Sequence, residues 1–120
     1  MRSYSEYLVS ESKQVDTDNN EKFVEKRHAG AEDIAHKASA KGGYSELTAW
    51  HFKAKLPKYK EALKAIKNRE PLAFFERKYK ETMDSLHGTK LSSQEQFQRI
   101  IGELEVWGEI VIQLKSGKKY

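Results

Sequence analysis

The chain has 120 residues, no cysteine, 38% hydrophobic and 33% charged residues, and a formal net charge of +4. That length accommodates one modest core rather than two, and five Phe, six Tyr and two Trp argue against a wholly disordered chain. The missing cysteines exclude disulfides, thiolate catalysis and cysteine metal sites, and no apolar run approaches the roughly 20 residues needed to cross a bilayer.

Ser3 and Glu6 have capping-box spacing, and Tyr4, Tyr7 and Leu8 fall on one helical face, which predicts a short amphipathic helix over 3–10. Residues 10–22 hold one apolar residue, Val15, among several turn formers, so a polar, mobile linker is expected there. The expected organisation is therefore an N-terminal segment over 1–22 and a single helical domain over 23–120. Residues 31–41 read as a helix in which Ala31, Ala35 and Ala38 flank Ile34, a small-residue face that lets a second helix come close. Gly42 and Gly43 suit its C-terminal end.

Ser45 can cap the next helix, where Leu47, Trp50, His51 and Ala54 follow helical spacing. Pro57 is expected to break or kink that helix and to start another, with Tyr59, Leu63 and Ile66 as its apolar stripe. Asn68 and the Glu70-Pro71 step end it. From Pro71 a further helix carries Leu72, Phe75, Tyr79, Met83 and Leu86 and stops at Gly88. Ser92 with Glu95 has capping-box spacing before a stripe of Phe97, Ile100, Ile101 and Leu104. Helical spacing continues through Trp107 and Val111, whereas the β-branched Ile110-Val111-Ile112 would suit a strand. The fold expected is mostly α, a small multi-helix domain of about five helices with a flexible N-terminal segment and a C-terminal element that is helix or strand, the helix being favoured.

The charge is concentrated in one place. Residues 1–50 carry seven Lys/Arg against nine Asp/Glu, residues 51–80 ten against three, and residues 81–120 five against six. Lys53, Lys60, Lys64 and Lys67 fall in one narrow sector of a helix, and Arg69, Arg77, Lys78 and Lys80 extend the basic stretch. A row of ammonium groups suits phosphate contact without sequence readout. It suits equally an acidic protein surface, and lysine stems can also simply cover the edge of a core. Tyr59, Phe75 and Tyr79 follow core spacing; Phe74 does not and is expected to be partly exposed.

Nothing in the sequence assembles a catalytic constellation. Gly42-Gly43 is too short for a phosphate loop, and Ser45, Ser92 and Ser93 are explained as caps. Glu32 and His36 stand at i, i+4, but a metal site needs more ligands than these two provide. His51 lies on an apolar stripe and is expected to be a hydrogen-bonded histidine at the core edge. No catalytic residue, metal or cofactor is therefore expected. A basic residue at Arg2 is followed by an interrupted apolar stretch rather than a secretory core, so a cytoplasmic location is the expectation, with no membrane contact and no expectation of oligomeric state.

The opening MRSYSEYLVSE resembles the capsid-targeting peptide of internal head proteins of large contractile-tailed phages. Arg2, Ser3, Tyr4, Glu6, Tyr7 and Leu8 match its basic, hydroxyl, aromatic, acidic, aromatic and aliphatic positions, and Glu11 matches the Glu at which a prohead protease cuts. The spacing to Glu11 is one residue longer than in that peptide. The resemblance covers about a tenth of the chain, and no family is recognised for residues 12–120. It implies a small non-enzymatic protein that docks the phage head scaffold, is packaged in the virion interior and meets DNA there non-specifically. The other function expected of such a chain is a helical protein-binding module, an inhibitor or adaptor that meets an acidic partner.

Overall fold

The computed structural model describes residues 4–41, 46–88 and 93–117, with side chains over 17–38, 46–87 and 93–117. Among these residues there are four helices and no strand: α1 (Tyr4–Lys41), α2 (Glu46–Lys67), α3 (Leu72–Gly88) and α4 (Gln94–Ser116). The structure is thus mostly α as expected, with four helices rather than about five. α1 packs on α2, α2 on α4, and α4 on α3, while α1 reaches α4 only marginally. The α2–α4 pair is therefore the centre of the molecule.

Two corrections account for the helix count. α2 runs unbroken through Pro57. A proline in a helix interior removes one hydrogen bond, here to the Lys53 carbonyl. Pro57 and Lys53 both lie on the exposed face of α2, so water can satisfy that carbonyl and the helix continues. At the N-terminal side, α1 extends over the polar stretch expected to be a linker. Residues 17–22 are helical, and Asn20 is buried at 5% exposure, so residue 22 does not separate two elements. Turn-forming composition is a weak local preference that packing can override.

The α2 terminus explains why Asn68 and Glu70-Pro71 stop the chain there. Glu70 N–H donates to the Ala65 carbonyl (3.0 Å) and Arg69 N–H to the Ile66 carbonyl (2.9 Å), a Schellman arrangement. Its left-handed position, which usually holds glycine, is occupied by Arg69 at φ 58°. At the start of α4 the cap is Ser93, one residue after the expected Ser92: its side chain accepts from Gln96 N–H at 3.1 Å. Ser3, Gly42, Gly43, Ser45 and Ser92 lie outside the described residues. The strand alternative for the C-terminus is overturned, because α4 continues to Ser116 and ends on Gly117 in the left-handed conformation. A single β-branched stretch has no strand to pair with, whereas as helix it puts Ile110 into the core.

That core joins Phe23, Val24 and Ala31 of α1 with Tyr59, Ala62, Ala65 and Ile66 of α2, Phe75 of α3, and Val106, Trp107 and Ile110 of α4. Ala31, Ala35 and Ala38 are all buried, as a small-residue face at an interhelical contact should be. α4 is rotated relative to expectation. Its buried positions are Gly102, Val106, Trp107, Ile110 and Gln113, while Phe97 is 38% and Ile112 68% exposed.

Gly102 sets the α2–α4 distance. A Cβ there would press into the His51 carbonyl oxygen and approach Lys55 Cγ to 3.3 Å. Gly30, by contrast, has nothing within 4 Å of such a Cβ. One substitution should therefore have opposite signs at the two sites. Gly30→Ala is expected to raise unfolding free energy by about 0.5–1 kcal/mol through helix propensity. Gly102→Ala is expected to lower it by about 1–3 kcal/mol through overpacking. Urea titration followed by circular dichroism measures both.

Candidate functional site: a row of lysines on the outer face of the second helix

The basic stretch over residues 51–80 divides into two populations once the helices pack. The first is drawn inward. Lys55 shares the buried side of α2 with Tyr59, Ala62 and Ile66 and is only 5% exposed. Its ammonium lies 3.2 Å from Glu105 Oε2 and 3.5 Å from Glu109 Oε1, over the rings of Phe52 and Tyr59. A charge so enclosed needs partners, since burying it alone costs far more than a neutral group.

The same two carboxylates serve other groups. The Tyr59 hydroxyl donates to Glu109 Oε2 at 2.7 Å; burial, with the Glu109 acceptor beside it, pushes that hydroxyl far above the usual tyrosine range. His51 Nε2 lies 2.7 Å from Glu105 Oε2, which makes His51 the hydrogen-bonded core-edge histidine expected. Burial acts to raise the Glu105 carboxyl. The His51 hydrogen bond and the neighbouring Lys55 and His51 charges outweigh it and hold the group below its ordinary range.

Two more cations are tied up at the seams and a third within α3. Lys58 meets Glu61 (3.3 Å) and Glu103 on α4 (3.6 Å), and Lys78 of α3 reaches the same Glu61 at 3.3 Å. Burial raises the Glu61 carboxyl less than Lys58 and Lys78 lower it, so it too sits below the ordinary range. Arg77 pairs with Glu81 at 3.8 Å, and Arg77 and Lys78 both lie over the Phe74 ring. Phe74 is half-buried, and the neighbouring cations occupy part of its surroundings.

The second population is turned outward. Lys53, Lys60, Lys64, Lys67, Arg69 and Lys80 are exposed, and none has a carboxylate within ion-pair distance among the described residues. At about 100° per residue the four α2 lysines occupy a sector of roughly 60°, and their 14-residue span covers roughly 21 Å of helix. The row lies on one continuous helix because α2 does not break at Pro57. Arg69 lies beyond the helix end on the wall of a cavity of about 200 Å³ formed by the C-terminal ends of α2 and α4, the start of α3, and Thr17 and Asn20 of α1. Lys80 is two residues, or about 200°, around α3 from Lys78, and so faces away from α2. Of the eight basic residues singled out in the sequence, the fold thus gathers four, Lys53, Lys60, Lys64 and Lys67, into one surface.

Sequence inspection missed Lys55, Lys58 and their carboxylates. The signal was present for Lys55, since it stands at i−4 and i−7 from the buried Tyr59 and Ala62, but its partners lie 50 residues away or more. Tyr4, Glu6, Tyr7, Leu8 and Glu11 fall in the first turns of α1, and their side chains lie outside the described residues. No group of three or more His, Cys, Asp or Glu among the described residues could hold a metal ion, and no helix there is long and apolar enough to cross a membrane. No protein-family model, curated protein or solved structure matches this chain.

Because the Glu105 carboxyl titrates lower in the folded protein than in the unfolded chain, its contribution to stability is complete above the unfolded value of about 4.3. It is lost as pH falls through the folded value. In urea midpoints measured across the acid range, the native protein should lose stability on acidification more steeply than Glu105→Gln. Parallel slopes for the two proteins would show that the His51–Glu105–Lys55 contacts contribute nothing.

Proposed function

We propose that this chain is a non-enzymatic, packaged protein of phage type whose basic α2 face contacts DNA without reading its sequence. The observation that carries the proposal is the sorting of the lysines. Those that could stabilise the fold are buried or paired with carboxylates, and four of the remainder form an outward row with no carboxylate partner among the described residues. A concentrated positive face with no counter-charge among the described residues favours a polyanion, because each phosphate it neutralises releases condensed counterions. The likeness of MRSYSEYLVSE to a capsid-targeting peptide supports the setting, a virion interior in which DNA is the abundant polyanion. An amphipathic N-terminal helix bearing Tyr4, Tyr7 and Leu8 would dock the head scaffold by helix-in-groove recognition, and cleavage after Glu11 would leave a chain beginning at Ser12.

Two measurements test the two halves of this proposal. Fluorescence anisotropy of a labelled duplex of arbitrary sequence should show binding at low salt that weakens steeply as salt rises. An absence of binding at low salt would remove nucleic acid and leave an acidic protein surface as the partner. Mass spectrometry of purified particles from an infection should find the chain starting at Ser12, and Glu11→Gln should block that processing. Particles lacking the protein would overturn the packaged setting.

A further inference from the structure

Resting on the DNA-contact proposal above, we infer that the α2 face engages duplex DNA through about four backbone phosphates and stacks on no base. The contact count follows from the sorting of charge. Lys55, Lys58 and Lys78 hold carboxylates in contacts that join α2 to α4 and α3, so recruiting them to phosphate would break those contacts, and Arg77 is paired with Glu81 within α3. Lys80 faces away from α2, and Arg69 lies on the end cavity. That leaves Lys53, Lys60, Lys64 and Lys67 on one side of a single rod.

The form of the DNA follows from the aromatics. Single-strand binders gain much of their affinity by stacking bases on exposed rings, and most of the described rings on α2 and α3 are otherwise engaged. Tyr59 and Phe75 are each 1% exposed. Phe52 packs on the core, Phe74 lies beneath Arg77 and Lys78, and Tyr79 packs against the core and Gly108 of α4. Trp50, half-buried one turn before Lys53, is the described ring closest in angle to the row. Without stacking, the gain comes from counterion release alone, and each contact releases more from the denser duplex, with a slope of about 0.9 against about 0.7 for a single strand. Over four contacts this difference amounts to about tenfold in affinity at about 50 mM salt.

The test compares a 20-base-pair duplex with oligo(dT) of the same length by anisotropy across a salt series, using the full chain. The expected duplex slope of log K against log salt is about −3.6, falling in magnitude by about 0.9 for Lys60→Gln or Lys64→Gln. Arg77→Gln and Lys80→Gln should leave it unchanged. Intrinsic tryptophan emission should not be quenched on binding; since Trp107 is buried at 1% exposure, quenching would report base stacking on Trp50. A slope near −7, expected if all eight basic residues engaged, overturns the inference while leaving DNA contact intact. So does tighter binding to oligo(dT) with quenched emission. Absence of binding to either form at low salt overturns both the inference and the DNA-contact proposal.

Discussion

The close approach of α2 and α4 is the constraint on which the rest of the structure depends. Gly102 lets α4 lie directly against the His51 carbonyl, and at that separation Lys55 is enclosed between the helices. An ammonium in such a place is tolerable only when carboxylates meet it, and Glu105 and Glu109, one turn apart on α4, both do. Sliding α4 by one turn, about 5.4 Å, would carry at least one of them away from Lys55. Apolar packing tolerates small slips; a directional polar cluster does not. The seam therefore fixes register as well as distance.

Fixing that register decides what the surface can do. With Lys55 facing α4 and α1 packed along α2 as well, the side of α2 left to solvent carries Lys53, Pro57, Lys60, Lys64 and Lys67. The proline that would end a helix in a core is accommodated because its missing hydrogen bond falls on this wet side. Lys58 and Lys78 converge on Glu61 and neutralise the flank toward α3. The exterior row is thus the complement of the interior network: a single helix supplies both, with side chains of the same chemical type. A solvent-facing row of this kind is held in place by the fold without contributing to it, which leaves it available to an external anion.

The exposed apolar side of α4 has the same origin. Phe97 and Ile112 remain outside because Gly102, Val106 and Gln113 must face α2 for the seam to close. A helix with two apolar sides can bury only one of them against a given neighbour, and here the side that includes a glycine and a glutamine takes precedence over the side with the larger hydrophobic residues. Close approach and satisfied polar contacts prevail over the area of apolar surface each residue could cover.

Several features were legible in the sequence because they depend on neighbours three or four residues away. The helical class, the end of α2 at Asn68 to Pro71, the burial of Ala31, Ala35 and Ala38, the core role of Tyr59 and Phe75, and the shared sector of Lys53, Lys60, Lys64 and Lys67 are all of that kind. Pro57 and the polar stretch before Phe23 misled for a single reason: local preferences of about 1–3 kcal/mol are set aside when a residue faces solvent or a helix is held by packing. Only the tertiary structure decided which lysines are interior and which exterior. Lys55 and Lys60 are indistinguishable as residue types, and what separates them is Glu105 and Glu109, brought from half a chain away by the α2–α4 contact.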